Sequence, residues 1–281
     1  MTQQRSRCEA THISGVRVLR RLILLVVVVA ALAPVAALAG TSSTSARSDC
    51  AKLRAAMGVK AFSQAYATFG ACVSRYAPIE QQVTSGAEAT CTAQQADADF
   101  AVTHSGKTFD QYYGTGKKDQ NAFAHCVSIV AKANRQAEQQ GRMNPARTCR
   151  GIRTQLGSSL FAMSYGKNKN DRNAFGKCVS ATARLQAKNE LSASATCAAE
   201  QTDPNFASNH AGETFYLFYG TNADRSNAFG KCVSSNARTA STAQAHAVVQ
   251  AAHTCKAERK SDPAAFKSKY KRFSACVKAL S

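Results

Sequence analysis

Tryptophan is absent from this 281-residue chain, and prolines number only 5. Acidic residues are scarce as well, with 17 Asp and Glu against 36 Lys and Arg. No Cys-x-x-Cys occurs, which removes the common zinc and thioredoxin-type signatures, and without Cys-x-x-Cys-His there is no c-type haem attachment. No Gly-x-Ser-x-Gly nucleophile turn and no His-Glu-x-x-His metalloprotease helix is present. Ala101-x-x-x-x-Gly106-Lys107-Thr108 matches a permissive phosphate-loop pattern, but no β-run precedes it, so it reads as coincidence. Neither a catalytic residue nor a cofactor is expected from these patterns.

Large aliphatic side chains are rare beyond residue 40, whereas alanine is abundant and long stretches lack both Gly and Pro. Alanine is the best helix former, so the expected class is all-α. The cores must then be built from recurring Phe and Tyr, together with Val and cystine. A core that thin, in units of about 50 residues, is marginal by surface-to-volume scaling.

What the chain does have is cysteine. Ten of its 11 cysteines fall into five pairs: Cys50/Cys72, Cys91/Cys126, Cys149/Cys178, Cys197/Cys232 and Cys255/Cys276. Each pair brackets a diverged copy of one unit. The second cysteine is approached by Asn121-Ala-Phe-Ala-His-Cys126, Asn173-Ala-Phe-Gly-Lys-Cys178 and Asn227-Ala-Phe-Gly-Lys-Cys232. Units two and four align without a gap at an offset of 106 residues, matching Asp97/Asp203, Phe100/Phe206, His104/His210 and Tyr113/Tyr219. Units one and three share another opening, in which Gly58, Phe62 and Tyr66 match Gly157, Phe161 and Tyr165. Such self-similarity predicts an array of five helical repeat units, each stapled by one disulfide.

Many connectivities are open to ten cysteines. A continuous helix from Cys178 to Cys197 would hold them about 28 Å apart at 1.5 Å per residue, and the same holds between Cys232 and Cys255. Pairing within a unit is therefore favoured over pairing across a connector. In the short first unit, a plain two-helix hairpin at Gly58 leaves Cys50 and Cys72 out of register by about 8 Å.

The middle units carry an insert that the outer two lack: Thr115–Asn121, Lys167–Asn173 and Thr221–Asn227. Its composition favours turns, and its closing Asn suits a helix N-cap. Without the insert, Phe62, Tyr66, Phe69, Cys72 and Val73 follow helical spacing directly, as do Phe266, Tyr270, Phe273, Cys276 and Val277. Units one and five are thus expected as compact caps.

Cys8 lies in a basic stretch that leads into an apolar run from Leu22, interrupted by Pro34 and ending at Ala37-Leu38-Ala39. That order is a secretory signal peptide over 1–39. The alternative is an uncleaved anchor at 22–39, at the lower length limit for a membrane span. The expected plan continues with a polar linker at 40–48 and repeats at 49–80, 81–140, 141–186, 187–244 and 245–281. Cleavage leaves ten cysteines, an even set suited to an oxidising compartment. The expected location is secreted or cell-wall-associated.

The Asn-Ala-Phe-Gly-Lys-Cys-Val-Ser strings at 173–180 and 227–234, with Asp262-Pro-Ala-Ala-Phe266, resemble a repeat found in secreted proteins of high-GC Gram-positive bacteria. That resemblance covers most of residues 45–281. It implies export and repetition but no activity.

Residues 40–281 hold 31 Lys and Arg against 16 Asp and Glu. Lys117, Lys118, Lys167, Lys169, Arg172 and Arg225 all sit in the three inserts and are the candidate contacts for a polyanion: acidic wall polymer, anionic lipid or extracellular nucleic acid. The leading expectation is a non-catalytic protein making such contacts. A second is an extracellular metal-binding protein or enzyme using His104 and His210, although their spacing is not that of a zinc site. A third is a membrane-tethered spacer. Acids such as Asp97, Asp203, Glu200 and Glu258 are expected to cap helices or face solvent.

Overall fold

In the computed structural model, residues 35–115, 118–166 and 172–281 are described, with side chains from residue 42 onward. The predicted leader up to residue 34 lies outside them. Contacts divide the chain into a short unit, residues 1–40, and a body, residues 41–281. Every named element among the described residues is a helix, and none is long and apolar enough to cross a membrane.

The first repeat is built from α1 (Val35–Met57), α2 (Val59–Tyr66) and the start of α3 (Phe69–Ala96). The second adds the short α4 (Phe100–Thr103) and α5 (Phe109–Tyr113), then α6 (Ala122–Gly141). The third runs through α7 (Pro145–Tyr165) into α8 (Ala174–Gln201). The fourth repeats the second with α9 (Phe206–Asn209), α10 (Phe215–Tyr219) and α11 (Ala228–Ser261). The fifth closes with α12 (Pro263–Tyr270) and α13 (Phe273–Leu280).

The repeats announced by the sequence recur in three dimensions. All five units pack a Phe, tilted, against a Tyr one turn later: Phe62/Tyr66, Phe109/Tyr113, Phe161/Tyr165, Phe215/Tyr219 and Phe266/Tyr270, with ring centroids 5.0, 5.1, 5.0, 5.1 and 5.2 Å apart. Gly58 and Gly157 adopt φ of 79° and 72°, each breaking a helix at the same point of units one and three. Only glycine takes that conformation without steric cost. Thr108 and Thr214 cap α5 and α10 by accepting from Gln111 N and Leu217 N. Asn144 and Asp262 do the same before Pro145 and Pro263, where proline sits in the first turn and needs no donor.

Three expectations are corrected. The segment 40–48 is not a linker but part of α1, with Ser42 and Ala46 buried. It has no helix breaker after Gly40, and Ala46 packs with Cys50, Phe62 and Tyr76. The outer units do not follow one continuous helix either. Ala67 (φ 63°) separates α2 from α3, and Lys271 (φ 59°) separates α12 from α13. That second reversal, added to the one at Gly58, removes the register mismatch between Cys50 and Cys72. Lastly, Asn121, Asn173 and Asn227 stand at the N-cap positions of α6, α8 and α11 but make no side-chain cap bond. Asn227 Oδ1 instead accepts from Thr221 N at 2.9 Å, closing its own insert.

The long helices fold the array back on itself, so that units distant in sequence share cores. α11 packs along both α8 and α6, while α8 also receives α2, α3 and α7. One apolar cluster joins the third and fifth units, Cys149 and Phe161 with Cys255 and Phe266. Another brings Ala183 and Ala187 of α8 into the core of the first unit. At the α6–α11 crossing, a Cβ on Gly230 would lie 2.1 Å from the Asn134 carbonyl oxygen, so glycine sets how close the two helices come.

Candidate functional site

All five cysteine pairs are joined within their units, each with Cα atoms 6.0 Å apart. The separations of 22, 35, 29, 35 and 21 residues make five consecutive loops that do not overlap. As expected, Cys178 and Cys197 lie on one unbroken helix, as do Cys232 and Cys255. Ten half-cystines in this arrangement belong to an oxidising environment.

His104 and His210 occupy equivalent places in separate units. Each ends a short helix, with Nδ1 2.8 Å from the carbonyl oxygen four residues earlier, Phe100 and Phe206 respectively. A carbonyl can only accept, so Nδ1 carries the proton in both. The rings stack on Phe100 and Phe206 at 3.7 and 3.8 Å. The structure does not bring the two histidines into a shared ligand group. Among the described residues, the one trio with metal-like spacing is Cys197, Glu200 and Cys232. Its two sulfurs are bonded to each other and offer no thiolate, while Glu200 Oε2 accepts from Tyr219 OH at 2.9 Å.

The expected acids do local work. Asp97 and Asp203 accept from the backbone N of Asp99 and Asn205, both at 2.9 Å. Of the candidate polyanion contacts, Lys118, Arg172 and Arg225 are exposed. Arg225 also donates from NH1 to the Gly220 carbonyl, bracing the insert that carries it. Lys117, Lys167 and Lys169 lie outside the described residues.

The feature that sequence reasoning missed is a charge cluster at the centre of the body. Arg142, between α6 and α7, has a side chain only 7% exposed. Its NH1 donates to Asp49 Oδ2 of α1 at 3.0 Å, its NH2 to Glu138 Oε1 of α6 at 2.9 Å, and its Nε to Glu190 Oε1 of α8 at 2.9 Å. The guanidinium also sits 4.7 Å from the ring centroid of Tyr76 on α3. Gln139 donates to Asp49 and Gln186 to Glu190, at 2.7 and 3.0 Å. One cation thus ties four helices together. Nearby Glu80 is buried, with Arg135 3.9 Å away, and neither of its carboxylate oxygens has a hydrogen-bond partner.

Acid exceeds base in this cluster, and burial penalises the surplus charge. Glu80 is pushed up to about 7, by burial first and then by Asp49. Glu138 is pushed up to about 8 by burial, against the pull of Arg142. On Arg142 burial works the other way, and Glu190, Glu138 and Asp49 more than offset it, so the guanidinium stays charged. Between about pH 4.5 and pH 7–8 the unfolded chain has released protons that folded Glu80 and Glu138 still hold. Folding stability contributed by these two groups therefore falls as pH rises through that window. The slope reaches about 1.4 kcal/mol per pH unit for each group. Denaturant midpoints measured from pH 5 to pH 8 are expected to decline, and Glu80→Gln with Glu138→Gln should flatten that decline. An unchanged slope in the double variant would assign the pH dependence elsewhere.

Sequestering these acids also sharpens the exterior. Asp49, Glu80, Glu138 and Glu190 are the buried acids among the described residues. Leaving them and Arg142 aside, residues 40–281 carry 30 Lys and Arg against 12 Asp and Glu. Fold and covalent framework together define a disulfide-stapled, all-α repeat protein. No protein-family model, no curated protein and no solved structure matches the chain.

Proposed function

We propose that this is a non-catalytic, exported protein that associates with polyanionic material through its basic exterior. The observation that carries the reading is the sorting of charge: four acids are withdrawn into the core around a single arginine, leaving an 18-charge basic surplus over residues 40–281. Exposed cations on the turn inserts repeat that charge along the array. Export is supported by the disulfide framework and by the leader-like order of residues 1–39. Acidic wall polymer, anionic lipid surfaces and extracellular nucleic acid all share the required chemistry.

Such binding is dominated by counterion release and weakens steeply with salt. Affinity for a DNA duplex, used as a model polyanion, is expected to fall linearly on a log–log plot against salt. The triple change Lys118→Gln, Arg172→Gln and Arg225→Gln should lower the slope by about 0.9 for each phosphate no longer neutralised. Binding that is indifferent to salt, or no binding at low salt, would overturn the proposal.

A further inference from the structure

Between α7, α8, α11 and α13 the body carries an open cleft of about 630 Å³. Its origin lies in α11. That helix buries Ala228, Phe229, Gly230, Cys232, Val233, Ser234 and Ala237 at one end and Ala251, Ala252 and Cys255 at the other, yet no residue from Arg238 to Gln250 is buried. Its side chains facing the cavity include Ser241, Ala245 and Val248, opposite Ser180, Ala181 and Thr182 of α8. Side chains this short do not fill the space between two helices. On either side of this stretch, Cys232 and Cys255 tie α11 to α8 and α13. Helices elsewhere in the body pack closely, so a cleft of this size along a doubly stapled helix is a built feature.

The lining has two characters. Ile152, Leu185, Val248, Val277, Tyr165 and Met143 supply an apolar wall. Lys177, Arg184 and Lys278 border the same space and are exposed, and no Asp or Glu side chain lines it. Ser281, which also borders it, is held by Gln244 Nε2 at 3.0 Å. Gln186 forms part of the wall, is buried, and has an Oε1 without a hydrogen-bond partner. An apolar chamber of a few hundred Å³ with a few convergent polar groups is the usual form of a small-molecule site. We propose that this cavity binds a single-chain amphiphilic anion, a long-chain carboxylate, with its hydrocarbon between α8 and α11 and its head group at Lys177, Arg184 and Lys278. This is a cleft between helices, separate from the polyanion contacts on the inserts.

Palmitate, 1-hexadecanol and hexadecylamine share a chain length and differ in head charge, so titrating each into the purified, disulfide-bonded chain tests both halves of the proposal. Palmitate is expected to bind at one per chain and at least tenfold more tightly than the alcohol, with the amine weakest. Each methylene removed from the carboxylate should weaken binding about fourfold. Ala245→Phe, which fills the chamber, should weaken palmitate at least tenfold without lowering the melting temperature of the free protein. Lys177→Gln with Lys278→Gln should weaken palmitate but not hexadecanol. Should Ala245→Phe cost stability, loss of chain-length dependence in Val248→Phe serves the same purpose. Equal affinity for the three head groups, multiple palmitates per chain, or full binding by both filled variants would overturn the proposal. Salt-sensitive adsorption that the filled variants do not alter would place palmitate on the basic exterior and overturn it as well.

Discussion

Full reduction unfolds this protein at neutral pH: ten free thiols appear, and helical circular dichroism collapses toward that of a disordered chain. The expectation follows from loop arithmetic. Each bond closes a loop of 21 to 35 residues, and chain entropy assigns such a loop about 3–4 kcal/mol. Because the five loops follow one another without overlap, they restrain separate parts of the unfolded chain, and their contributions add. The total, roughly 15–20 kcal/mol, matches or exceeds the 5–15 kcal/mol by which ordinary domains are stable. The cores cannot make up the difference. They are clusters of Phe, Tyr, Val and Ala around the cystines themselves, with Leu and Ile at few positions. A reduced chain that still unfolds cooperatively, at a denaturant midpoint close to that of the oxidised one, would show that packing rather than cross-linking holds the repeats.

How far the sequence went can be traced residue by residue. The staples were legible because each is local: both cysteines belong to one unit, and helix length excludes partners across a connector. Gly58 and Gly157 were legible as matched positions because a break there needs a residue free of Cβ. The Phe/Tyr pairs were legible from their i, i+4 spacing. The breaks at Ala67 and Lys271 were not, since neither residue type signals a positive φ. What forces them is the need to bring the second cysteine back to the first. The charge cluster was hidden for a different reason. Asp49 and Glu190 lie 93 and 48 residues from Arg142, each on an Ala-rich face that reads as solvated. Only Glu138, one helical turn before Arg142, carried a local signal. The cleft was hidden too: its small residues are visible along α11, but the helices they face are set only by the fold.

Replacing Arg142 by Met is expected to cost about 3–5 kcal/mol at neutral pH, the range for removing one partner from a buried ion pair. Met keeps most of the volume, so the loss reports charge rather than a hole. Asp49, Glu138 and Glu190 would remain in the centre of the body without the guanidinium that now donates to all three at 2.9–3.0 Å. Four helices lose their common tie, and for a chain of this size the melting temperature should fall by about 2–4 °C for each kcal/mol. Arg142→Lys should be intermediate, since an ammonium keeps the charge but not the three-way fork. The pH dependence separates this account from a simple packing defect. Stranded carboxylates can take up protons, so the cost of Arg142→Met should shrink at pH 5 relative to pH 8. Adding Glu190→Gln to Arg142→Met should recover part of the loss, giving a coupling energy in a double-mutant cycle. A loss below about 1 kcal/mol, or one that does not change between pH 5 and pH 8, would mean that the four helices are held by their apolar contacts and that Arg142 merely accompanies them.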